Sequence, residues 1–215
     1  MSKWKNIDNM ESFQISYLLY LEGKSIGIIS KIRNMPYNEV EKHIIEAKIK
    51  YGKKKEEDKL IKIISMQKEE RIKYLNSLSK TEKEDLREQI YKRYIKFKNT
   101  EDRMILIWLI GELKEEKLIP FLLMDLKSKN VNYRRLCISA LGKMKNKEYK
   151  TVLEKFFYDE NSQVRQYAIK SIKEIGDKLT IDKLKLILND KNEKEYVKRA
   201  AKEAINSLNE ILKMN

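Results

Sequence analysis

The sequence predicts an all-α protein: a helical-repeat, right-handed solenoid preceded by an N-terminal trihelical module. Three observations carry this expectation. Tyr133–Met144, Val164–Ile175 and Val197–Leu208 align without a gap, and in each a basic residue (Arg134, Arg165, Lys198) is followed three on by a small one (Cys137, Ala168, Ala201) and six on by another (Ala140, Ser171, Ala204). The helices that precede them repeat too, since Leu122, Leu153 and Leu184 correspond, as do Leu126, Phe157 and Leu188. The composition agrees, with 41% hydrophobic and 37% charged residues, two prolines and six glycines in 215 residues, as in a soluble, mostly helical chain.

Taken in order, residues 11–22 read as a helix through Phe13, Ile15, Tyr17, Leu18 and Leu21, with Gly23 as its C-terminal stop. Ser25 caps a short helix bearing Ile28, Ile29 and Ile32. Pro36 then opens a third, with Val40, Ile44, Ile45, Ala47 and Ile49. Lys53–Asp58 has no apolar residue and reads as a junction. Beyond it Leu60–Met66 and Ile72–Leu78 form helical stripes, and Thr81 with Glu84 reads as a capping box. The next helix carries Leu86, Ile90, Tyr91, Tyr94, Ile95 and Phe97 interleaved with Lys92, Arg93, Lys96 and Lys98. Such interleaving suits single-stranded nucleic acid, but at helical spacing it predicts that Tyr91 and Tyr94 pack inward while the lysines face water.

Thr100 is expected to cap the first helix of the repeat region. Asp102–Leu113 fits the repeat frame with larger residues, so that Arg103, Arg134, Arg165 and Lys198 mark units spaced 31, 31 and 33 residues apart. Gly142 and Gly176 fall near helix ends, where a left-handed stop is expected. Each unit is a hairpin that cannot bury its apolar stripe alone, and stacking joins the stripes into one core. Over residues 100–212 this pattern resembles the HEAT and HEAT-like repeats of the PBS-lyase type. The resemblance implies a structural ladder of Arg103, Arg134, Asp159, Arg165 and Lys198, with Asp159 pairing Arg165. The expected organisation is a trihelical module over 1–52, a helical connector over 53–99 and repeats over 100–215.

In the N-terminal part, Leu21–Ser25, then Ile29 and Ile32, then Val40, Ile44 and Ala47 resemble the helix-turn-helix of sigma-factor region 4 and LuxR-type regulators. Those families lay the third helix in the major groove. By that resemblance Asn38 and His43 meet base edges and Lys24, Lys31, Arg33, Lys42 and Lys48 meet phosphates, with Tyr37 on the same face. Glu39, Glu41 and Glu46 depart from the pattern by placing negative charge on that helix.

Net charge is +14, which attracts phosphate, yet it is spread along the chain with no concentrated basic tail. No apolar run approaches a membrane span, and Met1–Asn6 precedes no signal-like apolar core, so a cytoplasmic, bacterial-type protein is expected. His43 is the only histidine and Cys137 the only cysteine, leaving no multi-histidine zinc site and no internal disulfide; Cys137 reads as a packed thiol. Nucleophile elbows and Gly-rich phosphate loops are absent from the sequence. No cofactor, metal or small-molecule substrate is expected.

Counting one, five and nine residues from each basic marker gives the expected inner face. Its candidate binding residues are Met104, Trp108, Arg135, Lys143, Lys170 and Arg199, mixed with Glu112, Glu174 and Glu203. The expected function is non-catalytic: an adaptor that contacts duplex DNA through the third helix and a protein partner through the repeats. The alternatives are a pure protein-interaction scaffold and a DNA glycosylase of the HEAT-like class, for which Trp108 and Glu112 are the nearest local match.

Overall fold

The computed structural model describes residues 7–52 and 58–214. The N-terminal start with Trp4, and the expected junction apart from Asp58, lie outside the described residues. No strand occurs among the described residues, which form α-helices and short 3-10 turns in two compact units, Met1–Leu106 and Ile107–Asn215.

The first unit holds α1 (Ser12–Leu21), α2 (Ile26–Arg33), α3 (Tyr37–Gly52), α4 (Lys59–Ser65), α5 (Lys68–Ser77), α6 (Lys80–Arg93) and the start of α7 (Thr100–Leu113). Local chemistry sets most of these boundaries. Gly23 follows α1 with φ 87°, a conformation that favours glycine. The Ile28 N–H donates to Ser25 Oγ at the start of α2, and Asn34 (φ 48°) closes that helix in the left-handed region. Pro36 stands just before α3 and its carbonyl accepts from the Val40 N–H. Helices α1 to α3 pack around Tyr20, Ile26, Ile29, Val40 and Ile44, with Tyr17, Leu19 and Met35 against them. Leu60, Ile63, Leu86 and Ile90 are fully buried between α4 and α6.

Three local expectations need correction. The capping box of α6 lies two residues earlier than expected: Ser79 Oγ accepts from the Glu82 N–H, and the Ser79 N–H donates to Glu82 Oε2. Asn99, not Thr100, caps α7, its Oδ1 accepting from the Glu101 and Asp102 N–H groups. Tyr94 is fully buried as expected, but Tyr91 is 55% exposed, because the buried stripe runs through Leu86, Ile90 and Tyr94 at four-residue intervals and Tyr91 stands one residue off it.

The second unit contains the rest of α7 and three hairpins: α8 (Ile119–Asp125) on α9 (Val131–Met144), α10 (Lys150–Lys155) on α11 (Ser162–Ile172), and α12 (Lys178–Asn189) on α13 (Glu195–Met214). Helix α11 packs against both α9 and α13, so the second helices form one layer. Asn130 and Asn161, 31 residues apart, each accept from the next two N–H groups but one, and so start α9 and α11 alike. Leu153, Phe157, Ile169 and Ile172 are buried, each worth about 1.5–3 kcal/mol relative to exposure.

Small residues set the approach of the second helices. A Cβ added to Gly111 would lie 2.8 Å from Ala140 Cα, and one added to Gly142 would lie 2.5 Å from Ser171 Cβ. Each glycine therefore faces the small residue of the next repeat. This corrects the expectation of left-handed stops at Gly142 and Gly176, neither of which has positive φ. Lys114 (φ 49°) and Lys145 (φ 53°) take that conformation instead. Gly176 is needed for space as well, since its added Cβ would meet Leu208 Cδ1 and Thr180 Cγ2 at 2.9 Å.

Candidate functional site

The residues expected to read DNA divide into two groups. Lys24, Lys31, Asn38 and Lys42 are exposed, as is Tyr37 at the head of α3. Arg33, His43 and Lys48 turn into the first unit. The Arg33 guanidinium donates to Ser12 O (2.5 Å), Ser16 Oγ (2.6 Å) and Ser12 Oγ (3.0 Å), fastening α2 to α1. His43 Nδ1 lies 3.1 Å from the same Ser16 hydroxyl and the ring is half-buried. Burial corrects the phosphate assignment for Lys48, which is only 8% exposed. Its ammonium donates to Asp102 Oδ1 (2.7 Å) and the Tyr20 hydroxyl oxygen (3.0 Å), while the Tyr20 O–H donates to the same carboxylate oxygen (2.7 Å). Burial, and then the Asp102 charge, push the Tyr20 hydroxyl far above its ordinary range, so it stays a donor.

In the connector, Arg93 is held by Asp58 (2.5 Å), whereas Lys92, Lys96 and Lys98 are exposed. With Tyr94 buried, the interleaved aromatics form no continuous stacking surface.

The repeat-marking basic residues follow two different patterns. The Arg134 guanidinium forks onto the Asp159 carboxylate at 2.8 and 3.0 Å, both side chains being 8% exposed, and its third nitrogen meets the Ser128 and Lys129 carbonyls. Arg165 forks onto Glu193 at 2.7 Å on both arms and donates to the Asp159 backbone carbonyl. The expected Asp159–Arg165 side-chain pair is therefore replaced by two pairs that each reach into the following repeat. Hydrogen bonds from Arg134 and Arg165 raise both guanidinium pKa values against the effect of burial. Burial opposes ionisation of Glu193, but the Arg165 hydrogen bonds and the Lys194 N–H together hold its pKa below the ordinary carboxylate range. Arg103 instead lies over the Tyr94 ring at 4.2 Å, and Lys198 meets Glu195 within its own helix at 3.6 Å.

The expected inner face occupies successive turns of the second helices. At its edge, Lys143 pairs with Glu112 and Lys145 with Glu174 (2.5 Å), each joining neighbouring repeats. Met104 and Trp108 are half-buried; Lys170 and Arg199 are exposed; Arg135 is half-buried with its guanidinium over the Tyr167 ring at 5.3 Å. The face is polar, cationic in places, and cross-braced by ion pairs.

Residues 123–206 match the family model of HEAT repeats. The HEAT match spans the α9 to α13 layer, including the forked Arg134 and Arg165 pairs and the close contact at Gly142. A search of the curated proteins finds no match to the chain. Among the described residues, no group of three His, Cys, Asp or Glu residues is placed to hold a metal ion, and no helix is long and apolar enough to cross a membrane. Sequence reasoning missed Glu193 and Glu112 as the carboxylates that hold Arg165 and Lys143. The 31-residue period contained the signal for Glu112, which lies one period before Lys143.

Proposed function

We propose that this protein is a non-catalytic scaffold whose HEAT-like hairpins stack as a short solenoid and whose second-helix face holds a protein partner. The observation that carries this reading is the internal pairing of charge on that face. Glu112 with Lys143 and Glu174 with Lys145 neutralise one another, leaving a mixed polar surface on which unpaired cations stand one per helix, at Arg135, Lys170 and Arg199, rather than in a dense cationic track. Mixed polar rims around aromatic anchors suit protein interfaces, whereas duplex DNA rewards a run of phosphate contacts. Pairing with Lys143 also occupies Glu112, the acid that a glycosylase reading needs.

The second reading is DNA association through α2 and α3. It is favoured by the exposure of Lys24, Lys31, Asn38 and Lys42 and opposed by the inward Arg33, His43 and Lys48 and by exposed Glu39 and Glu46. The 1–52, 53–99 and 100–215 organisation belongs with this adaptor reading.

The two are separated by one pair of measurements on the full chain. Cross-linked proteins from native extract are compared for the wild type and Ser139→Trp, which adds bulk at the centre of the second-helix face, with Leu186→Trp on the exposed side of α12 as control. The scaffold reading expects Ser139→Trp to lose proteins that the control retains. Identical capture by all three, together with duplex DNA binding that persists at roughly 0.15 M salt, overturns it in favour of DNA association.

A further inference from the structure

The basic residues of the second helices differ in what they bind. Arg134 and Arg165 are spent on structure, each forked onto a carboxylate of the next repeat, and Lys143 and Lys145 are ion-paired. Arg135, Lys170 and Arg199 have no carboxylate partner among the described residues, although they stand on three consecutive second helices. Arg135 and Arg199 follow their repeat markers by one residue and Lys170 by five, positions one turn apart on the same helix face. The Tyr167 ring beneath the Arg135 guanidinium, 5.3 Å away, attracts the charge without neutralising it. Of the three acids expected on this face, Glu112 and Glu174 are paired, leaving Glu203.

We propose that this line of unpaired cations receives an extended acidic peptide segment of the protein partner, an inference that rests on the scaffold reading above. The spacing points to the ligand's pattern. Packed helices lie about 8–10 Å apart, and a peptide in the extended polyproline II conformation advances about 3.1 Å per residue with three residues per turn, so every third side chain returns to the same face about one helix further on. A segment crossing α9, α11 and α13 would then offer an Asp or Glu at every third residue, and the long Lys and Arg side chains absorb the offset of one turn. Discrete carboxylates fit this arrangement better than a polyanionic backbone, which would also meet Glu203, Glu174 and Glu112. Charge complementarity of this kind supplies specificity and association rate more than raw affinity.

The test uses full-length protein and a fluorescent synthetic peptide with Asp at every third residue, read by anisotropy at roughly 0.15 M salt. The wild type is expected to bind this probe more tightly than a peptide of the same composition with its Asp residues clustered. Lys170→Glu with Arg199→Glu should weaken binding about tenfold or more. The control, Lys147→Glu with Lys191→Glu, changes net charge equally at exposed positions away from the line and should leave binding within about twofold. Equal loss in both double variants, no preference for the spaced probe, or stronger binding of a single-stranded DNA homopolymer that displaces it would overturn the proposal. If capture of proteins remains sensitive to Ser139→Trp while the acidic probe fails, the partner's chemistry is wrong and the scaffold face stands. Capture insensitive to Ser139→Trp removes the face itself.

Discussion

Removing Asp102 is expected to destabilise the first unit severely. Lys48 and Asp102 are 8% and 7% exposed, and their 2.7 Å contact joins α3 to the first turn of α7. Asp102→Ala would leave the Lys48 ammonium and the Tyr20 hydroxyl buried without their shared acceptor. Breaking a buried pair from one side costs about 3–5 kcal/mol, because the surviving charge keeps its desolvation penalty. For a chain of this length each kcal/mol lowers Tm by roughly 2–4 °C, giving a fall of about 6–20 °C. Lys48→Met preserves most of the volume and leaves Asp102 with the Tyr20 O–H and the favourable end of the α7 dipole, so about 2–3 kcal/mol is expected. The double variant should be more stable than the sum of the singles predicts, by about 2 kcal/mol or more, since neither charge remains. Urea and thermal unfolding of the four proteins, followed by helical circular dichroism, measure the cycle. A loss under about 1 kcal/mol for Asp102→Ala, or costs that simply add, would show that the pair is not desolvated as described.

Three further outcomes follow from other contacts. Gly142→Ala places a Cβ 2.5 Å from Ser171 Cβ and 2.9 Å from Ser171 Cα; overpacking of about 1–3 kcal/mol should outweigh the gain of about 1 kcal/mol in helix propensity, and Ser171→Gly in the same chain should recover part of the loss in urea unfolding. Arg134→Met strips a buried carboxylate of its fork, and a cost of about 3–5 kcal/mol is expected by the same assay, against a smaller cost for the Arg134→Met, Asp159→Leu double variant. The Lys150 hydrogen bond, then the Thr180 N–H, hold the Asp177 carboxyl down at about 2. Its folded value lies below the unfolded one of about 3.9, so its stabilising contribution is present above that unfolded value and is lost as pH falls through about 2. Carboxyl NMR titration should find this low value in the wild type and a rise toward the ordinary range in Lys150→Met.

The repeats were legible because their geometry demands small residues at fixed intervals: Cys137, Ala168 and Ala201 lie where second helices meet, and all three are fully buried. What the residues do to one another was less legible. Lys48 follows Val40 and Ile44 at intervals of four, so helical period sets it on the buried stripe of α3, but its charge invited a phosphate assignment and nothing local reveals its partner Asp102, 54 residues on. Asp159 lies six residues before Arg165, and the resemblance to HEAT-like repeats implies that their side chains pair. The arginine instead needs its backbone carbonyl, leaving the carboxylate for Arg134. Gly142 stands close enough to a helix end to resemble a stop, but its absent side chain matters to the next helix rather than to its own backbone.

Arg134 and Arg165 both reach toward the C-terminus, to carboxylates 25 and 28 residues further along. During synthesis, which proceeds from the N-terminus, each guanidinium therefore emerges before its acceptor has been made. The α8–α9 hairpin can pack its apolar stripe early, but its Arg134 has only the Ser128 and Lys129 carbonyls until Asp159 has followed, and Arg165 waits in turn for Glu193. Each repeat is completed in arrears, its lock supplied by the first half of its successor. A nascent array halted between repeats thus ends on a hairpin whose guanidinium has its backbone acceptors but lacks its carboxylate.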